Sequence, residues 1–267
     1  MKKFTAMLLV AFTSTLAVAA KPGDDATPWR IMAVGDSITV GYTDNPVWSV
    51  PFEFGFRGEL FKALTNSGYN VQFVGSSPEP FDGKFKAPPN TPKFDLRRIN
   101  QDHCRGYGGW GTKQILANIK PWLEADQPDI VLLMIGINDI RKRSTDAPIE
   151  AEANLGNIVQ AVVDHSPSTR IIVAQITPYS AHTQAIIHYN DYIRNKLVPL
   201  FDQRGKHVST VDQYAIFGDA AKLTVDISLF SNRNNHPNSA AYNRMAQTWL
   251  AGIKALGLPT NAPAKTR

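Results

Sequence analysis

A serine beside glycine and aspartate is the first residue of this chain with a setting suited to covalent chemistry. Ser37 ends the tripeptide Gly35-Asp36-Ser37, directly after the apolar run 31–34. A neighbouring glycine permits a tight turn that exposes the hydroxyl. A helix starting there would add backbone N–H groups and the positive end of its dipole. Ser37 is therefore a candidate nucleophile, although the same tripeptide also occurs in ordinary turns.

An asparagine and a histidine occupy comparable places. Asn138 follows the apolar run 130–135, and its amide can donate a hydrogen bond to an oxyanion. Asn138-Asp139 can also be a simple turn. His236 precedes Pro237 and the longest helical stripe, so the proline would hold this imidazole at the mouth of a helix, where histidine can serve as general base. The other histidines are interpreted as surface or hydrogen-bonded side chains: His103, His165, His182, His188 and His207.

A glycine-rich segment lies between these motifs. Gly106, Gly108 and Gly111 satisfy the dinucleotide-binding pattern G-x-G-x-x-G. The polar residues 97–104 before it do not predict a strand, and Asp129 begins an apolar run where the nucleotide-binding acid should end one. We therefore exclude a dinucleotide site. A glycine turn before a helix also exposes backbone donors, which suits an oxyanion better.

The elements that must position these residues follow from hydrophobic periodicity. Five short apolar runs, at 31–34, 71–74, 130–135, 171–174 and 208–211, are typical of strands buried on both faces of a parallel sheet. The segments between them carry apolar residues at helical spacing. This order predicts a doubly wound α/β domain, whose ligands bind at the carboxyl ends of the strands.

One segment breaks the alternation. Ser76 to Arg105 contains five prolines and no helical period. Loops of this length are uncommon in compact domains and are often functional. We expect this one to shape substrate access.

Taken together, the motifs occur in the order Gly-Asp-Ser, glycine turn, Gly-x-Asn-Asp and His-Pro. This order resembles the SGNH hydrolases, also called GDSL esterases, over essentially the whole chain from Trp29 to Leu256. The resemblance implies a flavodoxin-like three-layer α/β/α sandwich with a mostly parallel five-stranded sheet. It implies that Ser37 is the nucleophile and His236 the general base.

The same resemblance assigns an oxyanion hole. Its donors would be the backbone N–H groups of Ser37 and Gly109 and the side-chain amide of Asn138. Gly109 is chosen because it directly precedes Trp110, as in relatives with a similar turn, and Gly108 is the alternative. No metal or cofactor is implied.

The chain departs from the family at one position. The family usually has an aspartate three residues before the histidine, where it orients the imidazole, and this chain has Arg233 there. Two interpretations remain open. A backbone carbonyl or an asparagine oxygen orients His236, or a carboxylate reaches in from elsewhere, with Asp226 as the nearest upstream candidate.

The first 20 residues predict a secretory signal peptide, leaving residues 21–267 as a single domain. Lys2 and Lys3 form a basic start, and an apolar stretch and small residues follow. An uncleaved anchor is the alternative. A secreted or periplasmic protein, not inserted in a membrane, is therefore expected. Its single cysteine, Cys104, excludes a disulfide framework and is interpreted as a buried small residue. Without Lys2 and Lys3, the net charge of +5 becomes +3, from 26 basic and 23 acidic residues. This small, unclustered excess argues against nucleic acid as a partner.

The motifs and the resemblance together predict an exported serine esterase that removes acetyl or other small acyl groups. The resemblance implies acylated polysaccharide as the substrate. Three loop aromatics, Trp48, Tyr107 and Trp110, are candidates for stacking on sugar rings, although each can equally serve packing. A lysophospholipase-like esterase is the first alternative, and it would need an apolar acyl channel. A non-catalytic carbohydrate-binding protein is the second, motivated by Arg233.

Overall fold

A parallel β-sheet forms the centre of the protein. The computed structural model describes residues 27–42, 54–76, 96–141, 147–179, 183–231 and 236–263. The strands of the sheet are β1 (Trp29–Gly35), β2 (Val71–Phe73), β3 (Arg105–Gly106), β4 (Ile130–Met134), β5 (Arg170–Gln175) and β6 (Val208–Asp212). The main path runs β2-β1-β4-β5-β6, with every neighbouring pair parallel. This is the flavodoxin-like strand order, and the predicted fold class is confirmed.

The sheet has six strands where the sequence predicted five. β2 pairs with the first part of β1, from Trp29 to Ile31, and β3 pairs with its last two residues. The chain therefore leaves one edge of β1 after β2 and returns to the same edge at β3. An antiparallel bridge between Ser76 and Cys104 joins the two ends of the departing segment. β3 is only two residues long and includes a glycine, so no apolar run signalled it.

Helices cover both faces of the sheet. In the described part of the chain, α2 packs against α8 and α3 packs against α5. The helices are α1 (Ser37–Val40), α2 (Phe56–Asn66), α3 (Thr112–Asp126), α4 (Ile137–Ile140), α5 (Ala147–His165), α6 (Thr183–Tyr192), α7 (Val198–Asp202) and α8 (Ser239–Ala255). Among the residues described here, none of the helices combines the length and the apolar character that crossing a membrane requires.

Shorter elements complete the chain. A π-helical turn (Ile193–Leu197) joins α6 to α7, and 3₁₀ turns lie at Leu96–Ile99, Tyr214–Ile216 and Ile227–Leu229. The short strands β7 (Gly218–Asp219) and β8 (Thr224–Val225) form an antiparallel hairpin.

The core follows from strands that are buried on both faces. All five residues of β4 are buried, and the predicted helical stripes point inward, as shown by the buried side chains of Ile115, Ile119 and Trp249. A continuous apolar cluster links the sheet to both helical layers. Burial on this scale holds the strand ends, and thus the motif residues, in fixed relative positions.

The C-terminal tail holds the opposite end of the sheet from the motifs. Trp29 Nε1 donates to Pro259 O at 2.8 Å, beside the start of β1. The backbone N–H of Asn70, just before β2, donates to Thr260 O at 2.8 Å, and that of Ala262 donates to Thr27 O at 3.0 Å. The tail thus ties together the starts of the first two strands.

Candidate active site

Ser37 stands at the carboxyl end of β1, as the first residue of α1. Asp36 is the N-cap of this helix, and its Oδ1 accepts the N–H of Ile38 at 2.9 Å. Such an N-cap bond satisfies a backbone donor that the helix itself leaves unpaired. The side chain of Ser37 is therefore presented on a short, capped helix. The residue is 3% exposed.

A buried arginine supports the other end of α1. Arg57, in α2, is fully buried, and its guanidinium donates to Thr39 O and Val40 O, both at 3.1 Å. It also donates to Asp102 O at 2.6 Å, close before β3. One guanidinium thus joins the helix that carries Ser37 to the chain that enters the glycine turn. Arginine suits this role because its planar fork offers several donors in a fixed geometry.

His236 lies directly against Ser37. The distance from His236 Nε2 to Ser37 Oγ is 2.8 Å, although 199 residues separate the two in sequence. The backbone O of His236 accepts the N–H of Ser231 at 2.9 Å. The ring of Tyr42 packs edge-on, with its centroid 6.3 Å from that of the imidazole. Backbone and ring contacts therefore hold the imidazole in reach of the hydroxyl.

Asp226, the upstream carboxylate proposed to orient His236, is engaged elsewhere. It is exposed, and its Oδ1 accepts the N–H of Ser228 at 3.0 Å and the hydroxyl of Ser228 at 2.6 Å. These bonds hold the pKa of Asp226 below its usual range. Arg233 lies outside the described residues. The position of Asp226 favours the interpretation in which a carbonyl or asparagine oxygen orients the imidazole, and that interpretation remains a prediction.

The glycine turn, Gly106–Gly111, is attached to the same end of β1. The N–H of Tyr107 donates to Gly35 O at 3.0 Å, and the N–H of Trp110 donates back to Tyr107 O at 3.2 Å. Gly109 has φ +76°, a left-handed conformation that glycine adopts without steric penalty. The turn therefore lies beside the strand end that carries Ser37.

Asn138 reaches this turn from the end of β4. It lies in α4 and is 8% exposed, and its Nδ2 donates to Trp110 O at 2.9 Å. A side-chain amide carries two N–H hydrogens, and this bond uses one of them. The carboxyl ends of β1, β3 and β4 are neighbours in the sheet. The structure thus brings Ser37, the glycine turn and Asn138 together at the carboxyl ends of these strands.

A buried carboxyl group adjoins the nucleophile. Asp36 is 2% exposed, and burial raises its pKa to about 7. The nearby carboxylate of Asp139 raises it as well, whereas the N–H of Ile38 and the charge of Arg141 lower it. Desolvation disfavours the charged form of an acid. Asp36 therefore changes charge near neutral pH, next to the residue expected to react.

The predicted sugar-stacking aromatics differ in their surroundings. Tyr107 and Trp110 are half-buried and nearly parallel, with ring centroids 4.2 Å apart. The hydroxyl of Tyr107 also lies 3.1 Å from Ser76 Oγ. Tyr107 therefore supports the ring of Trp110 from one side, and Trp110 is the better candidate to meet a ligand. Trp48 lies outside the described residues.

The cysteine and two of the other histidines discussed in the sequence analysis have partners or burial that fit a structural role. Cys104 is buried at 1% exposure. His103 bonds to Asn100, His188 contacts Glu152, and His182 is outside the described residues. Within the described ranges, no group of three or more His, Cys, Asp or Glu side chains converges as a metal site would require.

The start of α3 also bears on the rejected dinucleotide site. The short strand β3 does precede the glycine turn, so the strand-turn-helix context is present. The carboxylate of Asp139, however, accepts the first N–H of α3, from Thr112, at 2.9 Å. A negative charge already occupies the place that a pyrophosphate would take. This arrangement supports the exclusion.

Sequence reasoning missed the contributions of Arg57 and Asp139. No local pattern marks Arg57, because its acceptors lie 17 to 45 residues away. Asp139 was interpreted only as the turn partner of Asn138. One signal could have indicated the role of Asp139. Helix α3 starts after Gly111, which has no side chain with which to cap the helix, so another residue had to supply the acceptor.

Comparisons with known proteins agree on one family. Residues 33–244 match the model of the GDSL-like Lipase/Acylhydrolase family. A multidomain esterase of Ruminococcus flavefaciens is 27% identical to this chain in an alignment 279 residues long, which covers 97% of this chain. The chain spans only a third, 33%, of the length of that relative.

Solved structures show the same likeness. A family 3 carbohydrate esterase of Clostridium thermocellum is 28% identical, with a TM-score of 0.62, covering 86% of this chain and 99% of the other. A family 3 carbohydrate esterase from Talaromyces cellulolyticus is 24% identical, with a TM-score of 0.65, covering 85% and 97% of the two chains. The second likeness shows the fold alone.

Proposed function

The chain belongs to the GDSL-like lipase and acylhydrolase family, a family of ester hydrolases, and we propose that it is a serine esterase in which Ser37 attacks the ester and His236 moves the proton. The distance of 2.8 Å between Ser37 Oγ and His236 Nε2 carries this proposal. It lies within the range over which a general base can take a proton from a nucleophile.

The reaction then proceeds through an acyl-enzyme. His236 takes the proton of Ser37 as Oγ bonds to the ester carbonyl carbon, and the carbonyl oxygen becomes an oxyanion. His236 next gives that proton to the leaving alcohol as the ester bond breaks. Water repeats the sequence on the acyl-serine and releases the acid. Atoms and charge balance without a metal or cofactor.

The oxyanion hole would be formed by three donors. They are the N–H groups of Ser37 and Gly109 and the second N–H of the Asn138 amide. Support comes from the attachment of the glycine turn to β1 and from the bond of Asn138 to Trp110. Donors fixed in this way need no reorganisation when negative charge develops on the oxygen.

The proposed substrate is an acylated carbohydrate, with acetyl as the acyl group, and the proposed location is outside the cytoplasm after removal of residues 1–20. The name of the Clostridium thermocellum structure, a carbohydrate esterase at 28% identity, supports the substrate class. The half-buried ring of Trp110 beside Asn138 offers a surface on which a sugar ring can stack.

Three substrates test the proposal on the purified protein. Acetylated xylan should release acetate, 4-nitrophenyl acetate should be hydrolysed, and lysophosphatidylcholine should release little fatty acid. Ser37→Ala should abolish the first two activities. Preferential hydrolysis of the lysolipid would instead support an acyl esterase of the lipase type. Binding of xylan without turnover of any ester would support a non-catalytic carbohydrate-binding protein.

A further inference from the structure

At the start of helix α3, Gln114 Oε1 accepts the N–H of Gly111 at 3.0 Å, but no side chain of the helix accepts the first helical N–H. Its N-cap is Gly111, and the first helical N–H, that of Thr112, donates to Asp139 Oδ2 at 2.9 Å and to Oδ1 at 3.2 Å. The hydroxyl of Thr112 donates to the same carboxylate at 2.9 Å. An N-cap residue normally supplies such an acceptor itself. Here the acceptor comes from 27 residues further along the chain.

Lack of space explains why position 111 is glycine. The backbone there is extended, with φ −113° and ψ −175°, so any residue could adopt it. A Cβ at this position, however, would lie 2.6 Å from Asp139 Oδ1 and 2.7 Å from Oδ2. The glycine thus makes room for the carboxylate that takes over its capping role.

The carboxylate of Asp139 also connects the segments that carry two proposed oxyanion donors, the side-chain amide of Asn138 and the backbone N–H of Gly109. Asp139 follows Asn138 in α4, and Thr112 follows the glycine turn. Asn138 Nδ2 bonds to Trp110 O, and Asp139 bonds to Thr112 only two residues further on. Two adjacent residues of α4 therefore bond to this region: Asn138 to the glycine turn, and Asp139 to the start of α3.

We infer that Asp139 is a positioning residue for the oxyanion hole: by capping α3 it sets the distance between the N–H of Gly109 and the amide of Asn138. This inference rests on the proposed function of those two donors. In the proposed mechanism, Asp139 contacts no reacting atom. It acts through Thr112.

Charge and hydrogen bonding both favour this arrangement. A carboxylate at a helix N-terminus interacts favourably with the helix dipole, and charge-assisted bonds are stronger than neutral ones. Asn154, in α5, donates to Thr112 Oγ1 at 3.2 Å, which leaves the hydroxyl hydrogen directed to Asp139. The start of α3 is thus held from two sides.

Variants at Asp139 give the first test. With 4-nitrophenyl acetate, Asp139→Ala should lower kcat about 10- to 100-fold, since a displacement of about 1 Å in catalytic groups has effects of this size. KM should stay within about twofold, because the hole meets its charge only in the transition state. Asp139→Asn keeps one acceptor for the N–H of Thr112 and should lie between Asp139→Ala and wild type.

Asp129→Asn is the matched control. Asp129 lies just before β4, whereas Asp139 follows the other end of that strand. The carboxylate of Asp129 also accepts a backbone N–H, that of Arg30, at 2.9 Å. Both side chains are partly buried. Asp129→Asn should change stability without changing kcat.

The hydroxyl of Thr112 gives a second, gentler test. Thr112→Val keeps the size of the side chain and the backbone N–H bond but removes one donor to Asp139. It should lower kcat severalfold, and Thr112→Ser should restore it. This pair keeps the inference testable if Asp139→Ala fails to fold.

A transition-state analogue separates positioning from general structural damage. Phenylboronic acid forms a tetrahedral adduct with a reactive serine, with one oxygen placed where the oxyanion would be. Its affinity should fall in Asp139→Ala by about the same factor as kcat, while the affinity for acetate, measured as product inhibition, should hardly change.

Three outcomes would contradict either the positioning role or the proposed function. If Ser37→Ala is inactive but Asp139→Ala and Thr112→Val retain wild-type kcat, the positioning role is wrong and the proposed function stands. If Ser37→Ala retains the wild-type rate, the proposed function itself is wrong. A fall in kcat that Asp129→Asn matches would also overturn the positioning role.

Discussion

At the scale of single residues, the proposed mechanism has Ser37 and His236, which are in contact, act on one proton. Ser37→Ala and His236→Ala should each lower kcat by several orders of magnitude, because nucleophile and base form a unit. The double variant should be little worse than either single variant. Steady-state kinetics with 4-nitrophenyl acetate on all three proteins measures this. Losses that multiply in the double variant would show two independent roles.

Asn138 gives a separate prediction, since it would act on the oxyanion and not on the proton. Asn138→Ala should reduce transition-state stabilisation by about 2.7–4 kcal/mol, the usual effect of removing one such side-chain donor. KM should change little. Comparison of kcat and KM with wild type tests this expectation, and a normal kcat would remove Asn138 from the hole.

Asp36 predicts a dependence of stability on pH. Its folded-state pKa of about 7 is above the value of 3.8 expected when unfolded, so the folded protein binds the extra proton between these values. Its contribution to stability is fully present below pH 4 and is lost as pH rises through about 7. The size is about 1.4 kcal/mol for each unit of pKa difference.

Asp36→Asn isolates this contribution. The asparagine can still accept the N–H of Ile38, but it does not titrate. As pH rises from 5 to 8, wild type should therefore lose this contribution while the variant does not. The free energy of unfolding of the variant minus that of wild type should increase. Urea unfolding of both proteins at four pH values in this range gives the difference directly. Stability curves that stay parallel over the range would mean that Asp36 does not titrate there.

At the scale of elements, the close approach of α3 and α4 predicts strain at position 111. Gly111→Ala should destabilise the fold by about 1–3 kcal/mol, because the new methyl group would meet the carboxylate of Asp139. The same substitution in an Asp139→Ala background should be much less harmful, since the obstacle is gone. Urea unfolding of the four proteins provides the double-mutant cycle. Equal losses in both backgrounds would contradict the contact.

The sequence predicted elements well where a single run of residues determines them. The fully apolar run that became β4 and the stripe containing Ile115 and Ile119 needed no knowledge of the rest of the chain. β3 could not be predicted, because its two residues are a strand only through pairing with the end of β1.

The candidate site shows the same division. Ser37, Asn138 and His236 were identified because each motif is local, and the structure places Ser37 and His236 in contact. The bond between Asp139 and Thr112 joins residues 27 apart, and no periodicity reports a contact of that kind. Sequence patterns therefore suggested the residues that would react but not the ones that hold them in place.

At the scale of the whole molecule, the C-terminal tail should matter for stability and not for catalysis. A chain ending at Leu258 loses three hydrogen bonds to the starts of β1 and β2, each contributing about 0.5–1.5 kcal/mol. Its Tm should fall by several degrees. Its kcat below that temperature should equal that of wild type, because these bonds lie at the end of β1 opposite Ser37.

A chain ending at Pro263 is the control for the tail, since it keeps all three bonds. Thermal unfolding and hydrolysis of 4-nitrophenyl acetate on both shortened chains complete the comparison. An unchanged Tm in the chain ending at Leu258 would show that the tail does not support the sheet.

The division of one edge of β1 between β2 and β3 has an evolutionary consequence. The segment that departs from this edge has its two ends bridged at Ser76 and Cys104, so its length has little influence on where the chain re-enters the sheet. Doubling a loop adds only about 0.6 kcal/mol of closure entropy. Mutation can therefore lengthen, shorten or exchange residues 77–95 while Arg57 and the pairing of Gly106 with Gly35 preserve the reactive geometry. The sequence predicts that this segment shapes substrate access, so a directed-evolution library confined to residues 77–95 should sample new substrate preferences while the proposed catalytic residues stay unchanged.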